Sequence, residues 1–444
     1  MKSIQEMYQE RLMTAEQALE LVQDHDYLFS AQATGEPEAI LSKLQHLKNT
    51  GVHDVVINTC LPMKPYPAFH DPELEGILWH NAWFFNADLR KANQEGFVSA
   101  IPQSSTSVLR KRMQRNAAEG RRNVVLATVS PMDKHGYMSL SVSAIYEMDL
   151  IRSGAVVILE VNPNYPRTFG DTFVHVSQAD ALVESNRPIV TANLAPYTDV
   201  DAKIGAYIAE LVEDGSTIQL GIGNIPNAVA NELKSKKHLG IHTEMFTETM
   251  VDLIECGAVD NSQKGLLDGF SVASFTMGSQ RLYDFLDDNP SVLFKSCTFT
   301  NDPYTIGQNR KFVSINATLE VDLMGQAASE SIGPHQWSGT GGQSETVQGA
   351  QMSDGGKSIL AFHSTYTTKD KDGKDVLHSK IVPMLQRGAA VTTSRNDVDY
   401  VVTEYGVAWL RGANIRQRVQ ALAKIAHPKF REQLLADAKK YGIQ

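Results

Sequence analysis

Short apolar runs of strand length alternate with helical stretches along almost the whole chain, and this alternation constrains the fold more than any other feature. Leu28 to Ala33, Val55 to Thr59, Val124 to Val129, Met138 to Val142 and Ala155 to Val161 read as strands in the first part. Ser216 to Leu220, Val292 to Lys295, Phe312 to Ile315, Ser358 to Ala361, Ala390 to Thr392 and Tyr400 to Thr403 continue the pattern. Strands apolar on both faces need cover on both, and the intervening helices supply it. The helical stretches include Thr14 to Val22, opened by the capping box Thr14-Ala15-Glu16-Gln17, then Asp199 to Val212, Ala228 to Leu233, and an amphipathic tail from Arg416 to Tyr441. The expected fold class is α/β, with mainly parallel sheets flanked by helices.

A chain of 444 residues is long enough for two or three domains. Asn186-Arg187-Pro188 is a turn-like break, which divides the chain into an N-terminal α/β domain, 1–190, and a C-terminal α/β domain, 191–444. Lys and Arg number 41 against 51 Asp and Glu, a net charge of −10 that disfavours nucleic acid and anionic membranes as partners. The three cysteines, Cys60, Cys256 and Cys297, form no CxxC and suit a reducing compartment. The first residues carry no signal pattern and no apolar run reaches membrane-spanning length. The expectation is a cytoplasmic enzyme.

Three segments carry the residue types that chemistry needs. Gly221-Ile222-Gly223-Asn224-Ile225-Pro226 lies between a strand and a helix, where glycines let backbone approach a ligand and free amides point positive charge at it. A sharp strand-to-helix turn explains it equally well, and Pro226 stands where a dinucleotide fingerprint needs a third glycine. In Gly240-Ile241-His242-Thr243-Glu244-Met245-Phe246, an acid flanked by Met and Phe at a helix start reads as a desolvated nucleophile or as an acid meeting the helix dipole. Ser338-Gly339-Thr340-Gly341-Gly342-Gln343-Ser344-Glu345 reads as a backbone-lined binding loop or a linker. Thr367 to Asp375 is a surface loop or hairpin tip by composition. No phosphate-binding P-loop, nucleophile elbow or HExxH is present. What remains is a glutamate working with backbone amides.

These ordered motifs, with Val401 to Gly412, resemble the acetyl-CoA hydrolase/transferase family, and Ile381-Val-Pro-Met384 with Thr393 to Tyr400 is most similar to its 4-hydroxybutyrate and butyryl-CoA:acetate transferase branch. The likeness spans nearly the whole chain. It implies two α/β domains of the coenzyme A transferase fold, with the catalytic glutamate, Glu244, in the C-terminal one. Gly221, Ile222, Gly223, Asn224 and Ile225 match the coenzyme-A and oxyanion loop, and Gly342 matches a glycine whose amide also serves an oxyanion. Gly339 and Gly341 belong to the same glycine-rich coenzyme-A loop. Asn301 falls on a polar active-site asparagine, and Lys369, ahead of Lys371, on a lysine that contacts coenzyme A. Gln343-Ser344-Glu345 departs from the Asp-Phe ending common in that loop, which leaves acyl specificity open.

The resemblance further implies coenzyme A as a co-substrate, no permanently bound cofactor, no metal, and a homodimer or dimer-based oligomer. The activity it implies is ping-pong transfer of coenzyme A between a short-chain acyl-CoA and 4-hydroxybutyrate, butyrate or acetate through a glutamyl-CoA thioester. The alternative is an acyl-CoA hydrolase using the same glutamate.

Overall fold

A computed structural model describes residues 2–192, 196–221 and 223–443. The chain forms two compact units. The first is Met1–Asn193 with Glu244–Glu248 and Ser271–Asn301; the second is Leu194–Thr243, Thr249–Phe270 and Asp302–Gln444.

The first unit is built on seven strands, in the spatial order Ala181–Glu184, Val156–Val161, Asn123–Val129, Tyr27–Ser30, Val55–Cys60, Leu78–Phe84 and Val98–Ala100. Every pairing is parallel. Tyr27–Ser30 is buried throughout, as are all six residues of Val55–Cys60. Alternation within these runs feeds two cores. Leu28, Ile57, Leu126 and Ile158 pack on one face with Leu19 and Leu44, while Tyr27, Phe29, Val125 and Leu159 pack on the other with Tyr146 and Leu150. Chain order runs outward in both directions from Tyr27–Ser30, so a switch point lies between it and Asn123–Val129. In such sheets the crevice for a ligand opens at the carboxyl ends of the strands there.

The second unit holds a six-stranded sheet, ordered Gly240–Ile241, Thr217–Leu220, Phe312–Ala317, Lys357–Ala361, Tyr400–Thr403 and Gly406–Trp409, with only the last strand antiparallel. The α/β class is therefore borne out in both units. Among the described residues no helix is long and apolar enough to cross a membrane.

Several local expectations change. The single cut at residue 190 gives way to a chain that returns twice to the first unit, and Glu244 packs there and not with the C-terminal domain. Met245–Phe246 pairs with Phe275–Thr276, and the amide of Ala144 bonds the carbonyl of Ser274, which stitches both returning segments to the N-terminal part. Ala390–Thr392 is not a strand. The Ala390 amide goes to the Ser331 hydroxyl at 2.8 Å, leaving one bridge, Ala327 to Thr393. The Met138–Val142 strand shortens to Tyr137–Ser139, because Ser141 turns left-handed at φ 60°. The helix read over Thr14 to Val22 covers only Ala15–Leu19 but keeps its capping box, and a helix over Ile4–Arg11 precedes it. The tail splits into Ile415–Ile425 and Arg431–Lys440, since Pro428 cannot continue a helix. Thr365–Lys369 and Asp375–Ser379 form a hairpin, so the polar segment is its tip.

Lys264 is an unusual core member of the second unit. It has no exposed surface, its Nζ donates to the Phe270 carbonyl at 2.6 Å, and a Cβ on Gly240 would lie 2.2 Å from its Cγ. Burial lowers its pKa to about 7, opposed by the charge of Asp268. The fold thus favours the neutral amine where an unfolded chain carries ammonium. Stability from this group is present above the unfolded value of 10.5 and is lost as pH falls through about 7. Lys264→Met should therefore flatten the rise of melting temperature with pH across this window. An unchanged slope would show that another group sets it.

Candidate active site

The switch point of the first sheet sets the place of the site. The chain leaves Tyr27–Ser30 into a buried turn at Ala33, held left-handed at φ 50°. The next residue, Thr34, donates its hydroxyl to the Thr276 carbonyl at 2.9 Å. Thr276 in turn donates its own hydroxyl to the Phe246 carbonyl at 2.8 Å. The carbonyl of Glu244 accepts two amides, from Ser274 at 2.9 Å and Phe275 at 3.0 Å, which uses both its lone pairs. The backbone at 244 is fixed before its side chain makes any contact.

That side chain is half-buried, and two donors meet one of its oxygens. Oε2 accepts from Nδ2 of Asn301 at 2.5 Å and from the Ser105 hydroxyl at 3.4 Å. Asn301 is fully buried and closes the Cys297–Thr300 helix, its amide bonded to the Cys297 carbonyl at 3.0 Å. Among the described residues its Oδ1 has no hydrogen-bond partner. The helix follows the Val292–Phe294 strand, which pairs with Phe169–Gly170. Gly170 has φ 113°, and a Cβ there would lie 2.1 Å from the Phe294 carbonyl. Only glycine allows that approach.

Two further buried groups, linked through Cys60, belong to the same region of the first unit. Cys60 ends a central strand, and burial pushes its thiol well up, helped by the negative charges of Glu244 and Glu147. Glu147 has no exposed surface and accepts from the Ser143 hydroxyl at 2.7 Å and the Tyr146 amide at 3.0 Å. Burial raises its pKa against those hydrogen bonds. Cys60 is thus held as a neutral thiol, unsuited to act as the nucleophile itself.

The remaining candidates lie in the second unit. Gly221 follows the Thr217–Leu220 strand, with its amide on the Ile315 carbonyl at 2.9 Å. Gly223, at φ 118°, is the N-cap of the Asn224–Glu232 helix, so Asn224 and Ile225 form its first turn. Ile222 lies outside the described residues. Gly342 is the N-cap of Gln343–Met352, preceded by Gly341 at φ 55° and, in the same connecting segment, Gly339. Among the described residues neither helix has a side-chain cap at its glycine N-cap, and a helix start of this kind suits an anion or an oxyanion. Lys369 ends the first hairpin strand, and its Nζ lies 2.5 Å from Asp375 across the hairpin. Ser105 escaped the sequence reading, and Cys60 and Cys297 figure there only for the redox compartment they suit. The run Ser104-Ser105-Thr106-Ser107 signals a helix start, but nothing in it signals a partner 139 positions away.

Residues 1–192 match the acetyl-CoA hydrolase/transferase N-terminal domain, and residues 278–438 match its C-terminal domain. A 4-hydroxybutyrate coenzyme A transferase of Clostridium kluyveri is 42% identical over 98% of this chain and 99% of its own. A succinyl-CoA:cyclohexane-1-carboxylate CoA transferase of Geobacter metallireducens is 41% identical over 99% of this chain and 97% of its own. The crystal structure of a 4-hydroxybutyrate CoA-transferase of Porphyromonas gingivalis superposes with a TM-score of 0.76 at 32% identity, covering 99% of this chain and 100% of that one. The chain belongs to the acetyl-CoA hydrolase/transferase family.

Gly170→Ala should destabilise the first unit by about 2 kcal/mol or more, because overlap with the Phe294 carbonyl and an unfavourable dihedral act together. Denaturant melts would measure it. A loss below about 0.5 kcal/mol would mean that the strand leading to Asn301 is not held there.

Proposed function

We propose that this coenzyme A transferase exchanges coenzyme A between a short-chain acyl-CoA and a carboxylic acid, with Glu244 as nucleophile. One observation carries the reading: a carboxylate clamped at the switch-point crevice, with Oε2 held by buried Asn301. A carboxylate in water is a weak nucleophile because it is strongly hydrated, and partial burial removes part of that shell. Oε1 attacks the thioester carbonyl, the C–S bond breaks, and coenzyme-A thiolate leaves an acyl-glutamyl anhydride. The thiolate then attacks the glutamyl carbon. The acyl carboxylate departs with the bridging oxygen, leaving a glutamyl-CoA thioester. A second acid reverses both steps.

Each step passes through a tetrahedral oxyanion. Amides of the 221–225 loop and of Gly342 serve the one on the acyl carbon, and Asn301 serves the one on the glutamyl carbon. A single donor of this kind is worth about 3 kcal/mol of barrier. Coenzyme A enters and leaves as a co-substrate, and Lys369 is the proposed lysine contact once it exchanges Asp375 for a phosphate. Acetate, butyrate and 4-hydroxybutyrate are the proposed acids, supported by the transferases to which the chain is similar. Family membership alone supports a cytoplasmic homodimer.

Initial rates with butyryl-CoA and acetate should give parallel double-reciprocal lines. Glu244→Asp should lose turnover by at least about a hundredfold, since the shorter arm withdraws the carboxylate by about 1.5 Å. Intersecting lines, or an active Glu244→Ala protein, would overturn the mechanism. Release of free coenzyme A from butyryl-CoA at an equal rate without acceptor would assign hydrolysis instead.

A further inference from the structure

Two donors meet the same oxygen of Glu244, and they come from different parts of the first unit. We infer that Ser105 is a second catalytic donor, its hydroxyl stabilising the negative charge that gathers on Oε2 as the glutamyl carbon becomes tetrahedral. The inference rests on Glu244 being the nucleophile.

Ser105 is the first residue of a fifteen-residue helix, Ser105–Glu119, whose N-cap side chain, Ser104, bonds the Ser107 hydroxyl at 3.1 Å and caps no backbone amide among the described residues. The start of such a helix carries partial positive charge. The hydroxyl lies 3.4 Å from Oε2, and the Nδ2 of Asn301 lies 2.5 Å from the same atom. Cys297 ties the two donors together. Its thiol donates to the Ser105 carbonyl at 3.0 Å, while its own carbonyl accepts the Asn301 amide at 3.0 Å. Cys297 is fully buried, so this link is packed as well as hydrogen-bonded. Ser105 is thereby positioned relative to Asn301, and is more than the opening of a helix.

The electron bookkeeping gives the hydroxyl its role. In the resting carboxylate the charge is shared between two oxygens. In the anhydride Oε1 is bonded to the acyl carbon and Oε2 is a neutral carbonyl oxygen. Attack of the thiolate forms the new C–S bond and moves the carbonyl pair onto Oε2, which then carries a full negative charge. Collapse restores the carbonyl and expels the acyl carboxylate with Oε1. Donors aimed at Oε2 are therefore strongest in this intermediate, which makes them act on turnover more than on binding. A contact of 3.4 Å is long for two oxygens at rest, and growing charge on the acceptor draws the hydroxyl in.

The test compares Ser105→Ala, Ser105→Thr and Glu244→Ala in the full-length protein, with butyryl-CoA and acetate. Ser105→Ala should lower kcat by about ten- to a hundredfold, with KM for butyryl-CoA within about twofold and the melting temperature held. Ser105→Thr keeps a hydroxyl and should recover most of the lost turnover. Unchanged kcat in Ser105→Ala would overturn the inference while leaving the nucleophile in place. Equal losses in the alanine and threonine variants would also overturn it, by showing that shape matters and the hydroxyl does not. An active Glu244→Ala protein would remove the nucleophile reading, and the role of Ser105 with it.

Discussion

The rest of the structure depends on the clasp around the Glu244 carbonyl. Two amides, from Ser274 and Phe275, converge on it, and the Ala144 amide closes on the Ser274 carbonyl behind them. These are backbone bonds, so they fix the main chain independently of side-chain choice. They draw 244–248 and 271–301 into the first unit. Thr34 and Thr276 extend the same ladder to the end of the central strand. The carboxylate thus stands on a rigid frame at the end of a parallel sheet, where reacting groups need positions held to a fraction of an ångström.

Two neutral donors, an amide and a hydroxyl, meet Oε2, and the Cys60 thiol near this carboxylate stays protonated. Donors of this kind suit the proposed cycle, in which the negative charge leaves Glu244 with the departing acid and returns with the next. A fixed cation bonded to the carboxylate would stabilise the resting form more than the transition state and slow attack. In the second unit two helices start at glycine N-caps, Gly223 and Gly342.

Much of the architecture was legible because it rests on local pattern. Strands such as Val55–Cys60 and Asn123–Val129 are buried on both faces and read as unbroken apolar runs. Capping boxes marked Thr14 correctly, and Pro428 carried the signal that splits the C-terminal helices. The failures share one cause. Ala390–Thr392 looks like a strand until Ser331, 59 positions away, captures its amide. The linear division placed Glu244 in the wrong unit because the bonds that recruit it run from Ala144 and Thr34, through backbone groups that every residue has. The Gly240–Phe246 segment singled out Glu244 as a candidate, while Asn301 came only from the family resemblance. No pattern near Ser105 pointed to the carboxylate it meets.

The most direct measurement is to find which carboxylate coenzyme A esterifies. The protein is incubated with acyl-CoA and no acceptor, then reduced with borohydride, which converts a glutamyl thioester to an alcohol. Peptide mass spectrometry reads the position. The account predicts a single modified peptide with the change at Glu244, rising as activity falls. Glu248 opens the helix four residues further on and is the nearest competing carboxylate along the chain. A label there, or on any other carboxylate, would contradict the assignment on which the rest is built.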